Sequence, residues 1–167
     1  LRDITERKQA EEAIANERQL LRTLIDLLPQ TFYIKDLESR FLVANQALAT
    51  HLGQESPAQI LGRSDADFFP AELAAKYRAV ELKVLSGEPI IDYEGKGIGR
   101  DGRECIHLTT KVPFRDSQGK ILGLVGIARD ITERKQAEAE LQLMRFCVDH
   151  ADDEVFWLSP EGRMLYA

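Results

Sequence analysis

Cys105 and His107 stand two residues apart in a stretch, Glu104 to Phe114, that alternates like a β-strand, so both side chains leave one face. A thiolate and an imidazole on one face are the beginning of a zinc-type metal site, but such a site takes three or four ligands. The other candidates are scattered: His51 falls in a short helical segment, while Cys147 and His150 come late in a long one. The pair therefore reads as a hydrogen-bonded couple, and no metal is expected. The two cysteines share no element or ligand-type spacing, which argues against a disulfide framework. No convergent nucleophile, base and acid accompany them, so catalysis within this chain is not expected.

The composition narrows the class. The chain has 167 residues, 44% hydrophobic and 30% charged, with a net charge of −6. That describes one ordinary core with charged helical extensions. Arg7-Lys8 and Arg134-Lys135 are flanked by glutamates and read as solvated helix faces, so no nucleic-acid partner is expected. No apolar run approaches the ~20 residues that span a bilayer, and no signal peptide opens the chain. A cytoplasmic location is the expectation, with any membrane anchor lying elsewhere in a parent chain.

The elements that would position these residues are framed by a repeat. The ten residues Arg2 to Glu11 recur unchanged as Arg129 to Glu138. An offset this long suits a whole small domain with its linker. The segment Val155 to Ala167 also echoes the aromatic strand, polar turn and apolar strand of Thr31 to Ala44. The reading is the end of one domain with its linker helix (1–28), one complete domain (29–132), an exit helix (133–154) and the start of a further domain (155–167).

From about Thr5, a plausible N-cap, to Leu28 the chain lacks Gly and Pro and favours helix, until Pro29 stops it. Ile14, Leu21 and Leu28 recur every seven residues, with Leu24 between them; Ala137, Leu141, Met144 and Val148 repeat the rhythm after Thr132. These seams predict homodimerisation through both linker helices; an amphipathic helix folded back on its own domain is the alternative. Between them come two short strands, short helices near Asn45 to Leu52 and Pro57 to Leu61, a long helix Ala71 to Leu85, and three strands joined by turns at Asp101-Gly102 and Gln118-Gly119. The fold class is α+β: a five-stranded antiparallel sheet with helices on one face, flanked by coiled-coil-type helices.

This order, with Asn45 after the second strand, Leu61-Gly62-Arg63-Ser64-Asp65 before the long helix, Leu85-Ser86-Gly87-Glu88-Pro89 after it and Gly126 to Lys135 at the end, resembles a PAS domain with its C-terminal PAC motif. The resemblance covers about Leu28 to Lys135. It implies a sensory and dimerisation module whose parent is a multi-domain signalling protein, most often a two-component sensor histidine kinase. A diguanylate cyclase or phosphodiesterase parent, or a ligand-free spacer in a PAS array, are the alternatives. Neighbouring PAS domains and a downstream output domain of the same chain are the implied partners. Asp130 and Thr132 match the residues that tie the last strand to the exit helix, which makes them the expected relay. A small-molecule pocket between the long helix and the sheet would be lined by Phe32, Ile34, Leu48, Leu52, Phe69, Tyr77, Tyr93, Val125 and Ile127; a core that binds nothing is the other possibility. No cofactor is assigned: neither cysteine has the setting of a covalent flavin site, the long helix has no histidine, and haem through His51 or His107 is not expected.

Overall fold

The structure, a computed structural model, describes residues 2–99, 102–149, 157–161 and 163–166. Arg100 and Asp101 of the expected hairpin turn, His150, and Val155 and Phe156 lie outside the described residues. The chain forms two compact units, Leu1–Asp130 and Ile131–Ala167.

The first unit opens with α1 (Arg2–Leu27), followed by β1 (Thr31–Asp36), β2 (Phe41–Ala44) and α2 (Gln46–His51). Single 3-10 turns at Pro57–Gln59 and Asp65–Asp67 lead into α3 (Ala71–Leu85), and β3 (Ile90–Ile98), β4 (Glu104–Arg115) and β5 (Ile121–Asp130) complete it. The five strands form one antiparallel sheet in the order β2-β1-β5-β4-β3. The expected cap at Thr5 is not a helix start, because α1 already runs from Arg2. Nothing in Arg2-Asp3-Ile4 breaks a helix, so the helical backbone extends through it.

Asn45 fixes how these pieces meet. Its side-chain oxygen accepts from the amides of Phe32 and Leu48, each at 3.0 Å, and so caps α2 while holding β1. Its amide nitrogen donates to the carbonyls of Ile25 at 3.0 Å and Gln30 at 2.9 Å, at the end of α1 and just beyond it. Asp26 then accepts from the Gln46 amide. One fully buried amide thus joins two helices and a strand through all of its main hydrogen-bonding capacity.

The core lies between the helices and one sheet face and contains Tyr33, Phe41, Leu48, Ile60, Val84 and Leu124. Tyr33 lies flat across β5: a Cβ added to Gly126 would come within 2.2 Å of its ring. A side chain there and the buried tyrosine exclude each other.

The second unit contains α4 (Thr132–Asp149) and the hairpin β6 (Trp157–Leu158) and β7 (Met164–Tyr166). Among the described residues no helix is long and apolar enough to cross a membrane.

Candidate functional site

Alternation along β1 and β4 sends Tyr33, Lys35, His107, Thr109 and Lys111 toward the helices. With Phe41, Leu48, His51, Leu52, Phe69, Tyr77, Asp65 and Glu81 they wall a cavity of about 100 Å³. That is below the roughly 150 Å³ cavity that holds benzene, so an enclosed occupant is no larger than a small ring.

At one end of the cavity sits a buried ionic cluster. Lys35, 1% exposed, donates to Asp65 at 2.5 Å and to Glu81 at 2.7 Å. Glu81 projects from α3, is fully buried, and also accepts from the Ser39 hydroxyl, which in turn accepts from Arg78. Lys111 places its ammonium 3.5 Å from the same carboxylate and near the rings of Tyr33 and Tyr77. Two ammonium groups thus face two carboxylates. Burial alone pushes the Glu81 carboxyl up, but Lys35, Lys111 and the hydrogen bonds from Lys35 and Ser39 outweigh it and hold it below its usual range. For Asp65 burial prevails over Lys35, and its carboxyl is raised.

At the other end His51 from α2 and His107 from β4 meet edge to face, with ring centres 5.6 Å apart. Burial pushes both imidazoles below their usual range, toward the neutral form. His107 contacts Cys105, with its Nε2 3.4 Å from Sγ, and lies opposite Asp130 in the β4–β5 register.

Of the residues expected to line a pocket, Leu48, Leu52, Phe69 and Tyr77 lie on the cavity wall. Phe32, Ile34, Val125 and Ile127 do not: Phe32 is paired with Ile127 and Ile34 with Val125 on the opposite face of the sheet. An inward assignment of the apolar side chains is one residue out of phase in β1 and β5, where the inner positions hold Tyr33, Lys35, Leu124 and Gly126. Tyr93 is largely exposed and lines a neighbouring cleft with Tyr77, Val80 and Lys111. Asp130 ends β5, and Thr132 is the first residue of α4. Ile14, Leu21, Leu24 and Leu28 of the first seam are exposed, as are Ala137, Leu141, Met144 and Val148 of the second.

Sequence reasoning missed Lys35, Asp65, Glu81 and Lys111. Signals existed: Lys35 interrupts an aromatic strand, and Glu81 falls on the buried stripe of α3 between Tyr77 and Val84.

The comparisons with known proteins agree with this architecture. The histidine kinase FilI, a methanogenesis regulator of Methanothrix harundinacea, is 37% identical over 130 residues, 78% of this chain and 14% of that protein. The chain therefore spans only about a seventh of that relative. The PAS domain of BvgS from Bordetella pertussis superposes with a TM-score of 0.57 at 27% identity, over 79% of this chain and 98% of that one. A ligand and DNA complex of Vibrio cholerae VqmA gives a TM-score of 0.61 at 29% identity, over 80% of this chain and 60% of that one. The family model described as PAS fold matches residues 25–136, most of the chain, and the chain belongs to that family.

Proposed function

We propose that this chain is a sensory and relay module of a larger cytoplasmic signalling protein of the sensor histidine kinase class. It takes a small flat molecule into the cavity, dimerises through α1 and α4, and passes a change in the sheet through Asp130 and Thr132 to α4. The observation that carries this reading is the cavity wall itself. Aromatic and aliphatic groups, Phe41, Phe69, Tyr77 and Leu52, stand beside Lys111, whose nearest carboxylate is 3.5 Å away. Apolar walls with a few convergent polar groups suit a ring that has an acceptor or anionic edge. The kinase relative FilI supports the parent class, and the complex of VqmA with a ligand supports small-molecule binding by a protein of similar structure. The exposed apolar seams of α1 and α4 support the dimer.

A second reading, a ligand-free spacer, draws on the same cluster. Among the described residues no buried side-chain nitrogen or oxygen lacks a hydrogen-bond partner. A native mass spectrum of the freshly purified chain decides between them. A dimer with a reproducible added mass that is lost in Lys111→Met supports sensing. A dimer with no added mass supports the spacer, and a monomer at high concentration refutes the seams.

A further inference from the structure

The sequence offers Cys105 and His107 as two ligands on one strand face and no third. The fold supplies it. Antiparallel pairing sets His107 of β4 opposite Asp130 of β5, and one ligand atom from each of Cys105, His107 and Asp130 lies within 4.8 Å of the others. We propose that these three side chains form a binding site for a zinc-class divalent transition metal, beside the cavity that His107 also lines.

The donor chemistry fits. Sulfur, imidazole nitrogen and carboxylate oxygen form a mixed set for a borderline ion, whereas calcium and magnesium take oxygen ligands. In a tetrahedral site with metal–ligand bonds of about 2.0–2.3 Å, ligand atoms stand roughly 3.3–3.8 Å apart. Cys105 Sγ and His107 Nε2 already meet that spacing at 3.4 Å. Asp130 is exposed at the strand end, with its carboxylate within 4.8 Å of the other two ligand atoms. On binding, the Cys105 thiol releases its proton to solvent as the sulfur–metal bond forms.

The surroundings suit the role. Cys105 is buried, His107 half-buried and Asp130 exposed, so two of the ligands are held within the fold and the third lies at its surface. Gly97 of β3, opposite Cys105, makes room for the imidazole: a Cβ there would come within 2.4 Å of His107 Nδ1. His51 approaches His107 from α2, with ring centres 5.6 Å apart, and places a second imidazole near the first. Asp130 is also the last residue of β5, two before the start of α4. An ion there occupies the stretch from which the exit helix begins.

The test uses the full chain carrying Cys147→Ser, freed of metal by chelation and titrated with Co²⁺. The expected result is saturation at one ion per chain with a thiolate-to-cobalt charge-transfer band, followed by displacement with Zn²⁺. Asp130→Asn weakens the affinity tenfold or more, and Cys105→Ser removes the band, each with an unchanged metal-free circular dichroism spectrum. Should Cys105→Ser fail to fold, X-ray absorption of the zinc-loaded Cys147→Ser protein decides. One sulfur at about 2.3 Å supports the site. A shell of nitrogen and oxygen alone overturns it, as does a cobalt titration without the charge-transfer band. None of these readouts depends on an organic ligand, so the sensing proposal stands or falls separately.

Discussion

Lys35→Met is the sharpest probe of the buried ionic cluster. The ammonium stands 2.5 Å from Asp65 and 2.7 Å from Glu81, and its side chain is 1% exposed. Methionine keeps most of the stem volume, so the loss is electrostatic and not a packing void. Removing one partner of a buried ion pair costs about 3–5 kcal/mol. Lys111 still faces Glu81 at 3.5 Å, and Asp65 retains some access to water, which places the loss near the lower bound, about 3 kcal/mol. With a urea m-value of about 1–3 kcal/mol/M, the midpoint falls by roughly 1–3 M in denaturation followed by circular dichroism. The pH dependence gives a second check. In the wild type Glu81 is held below its usual range, so its contribution is present at neutral pH and is lost as pH falls through its folded pKa. Without Lys35 the Asp65 carboxyl, already raised by burial, rises further and Glu81 loses the largest charge opposing its burial, so stability is then lost as pH rises through them. The deficit of the variant therefore widens from about pH 4 to about pH 7. A variant with wild-type stability, or a deficit that ignores pH, would refute the cluster as the electrostatic centre of the fold.

Three further outcomes follow from packing. Asn45→Ala strands the amides of Phe32 and Leu48 and removes the donor to the carbonyls of Ile25 and Gln30 at the junction of α1, β1 and α2, and lowers stability by about 2–4 kcal/mol, with faster amide exchange across Phe32 and Leu48. Gly126→Ala drives a methyl into the buried Tyr33 ring and costs about 1–3 kcal/mol in the same urea assay, partly recovered by Tyr33→Leu in the double variant. Leu21→Glu with Leu24→Glu, both on the exposed face of α1, leaves the stability of the sheet domain in urea within about 0.5 kcal/mol and turns any dimer seen by sedimentation equilibrium into monomer. An unchanged dimer would mean that α1 is not the seam.

Much of the architecture can be read from local signals. Residue preferences and glycine punctuation place α3 and the three strands that follow it within a residue of where they lie, because each is long and bordered by a turn. The orientation of the sheet could not be read in the same way. Phe32, Ile34, Val125 and Ile127 are the apolar residues of their strands, so a rule that sends apolar groups inward selects their face. The helices instead cover the face with Tyr33, Lys35, His107 and Lys111, whose charges are neutralised by Asp65 and Glu81, residues distant in sequence. Pairing across 46 positions, as between Lys35 and Glu81, leaves no local trace. The same limit hid Asp130 as a neighbour of His107, since strand register and not spacing brings them together.

The repeated decapeptide takes two backbone forms within one molecule. Arg129 and Asp130 are extended and paired with Leu108 and His107, whereas Arg2 and Asp3, identical in sequence, are the first turn of α1. Helix and strand are thus both open to this Arg-Asp step, and the β4 ladder selects between them. The difference has a length and an angle. A residue advances the chain by about 3.3 Å in a strand and 1.5 Å in a helix, so two residues passing from β5 to α4 shorten the path by about 3.6 Å. At 3.6 residues per turn they also add about 200° of helical winding, more than half a revolution from a dipeptide.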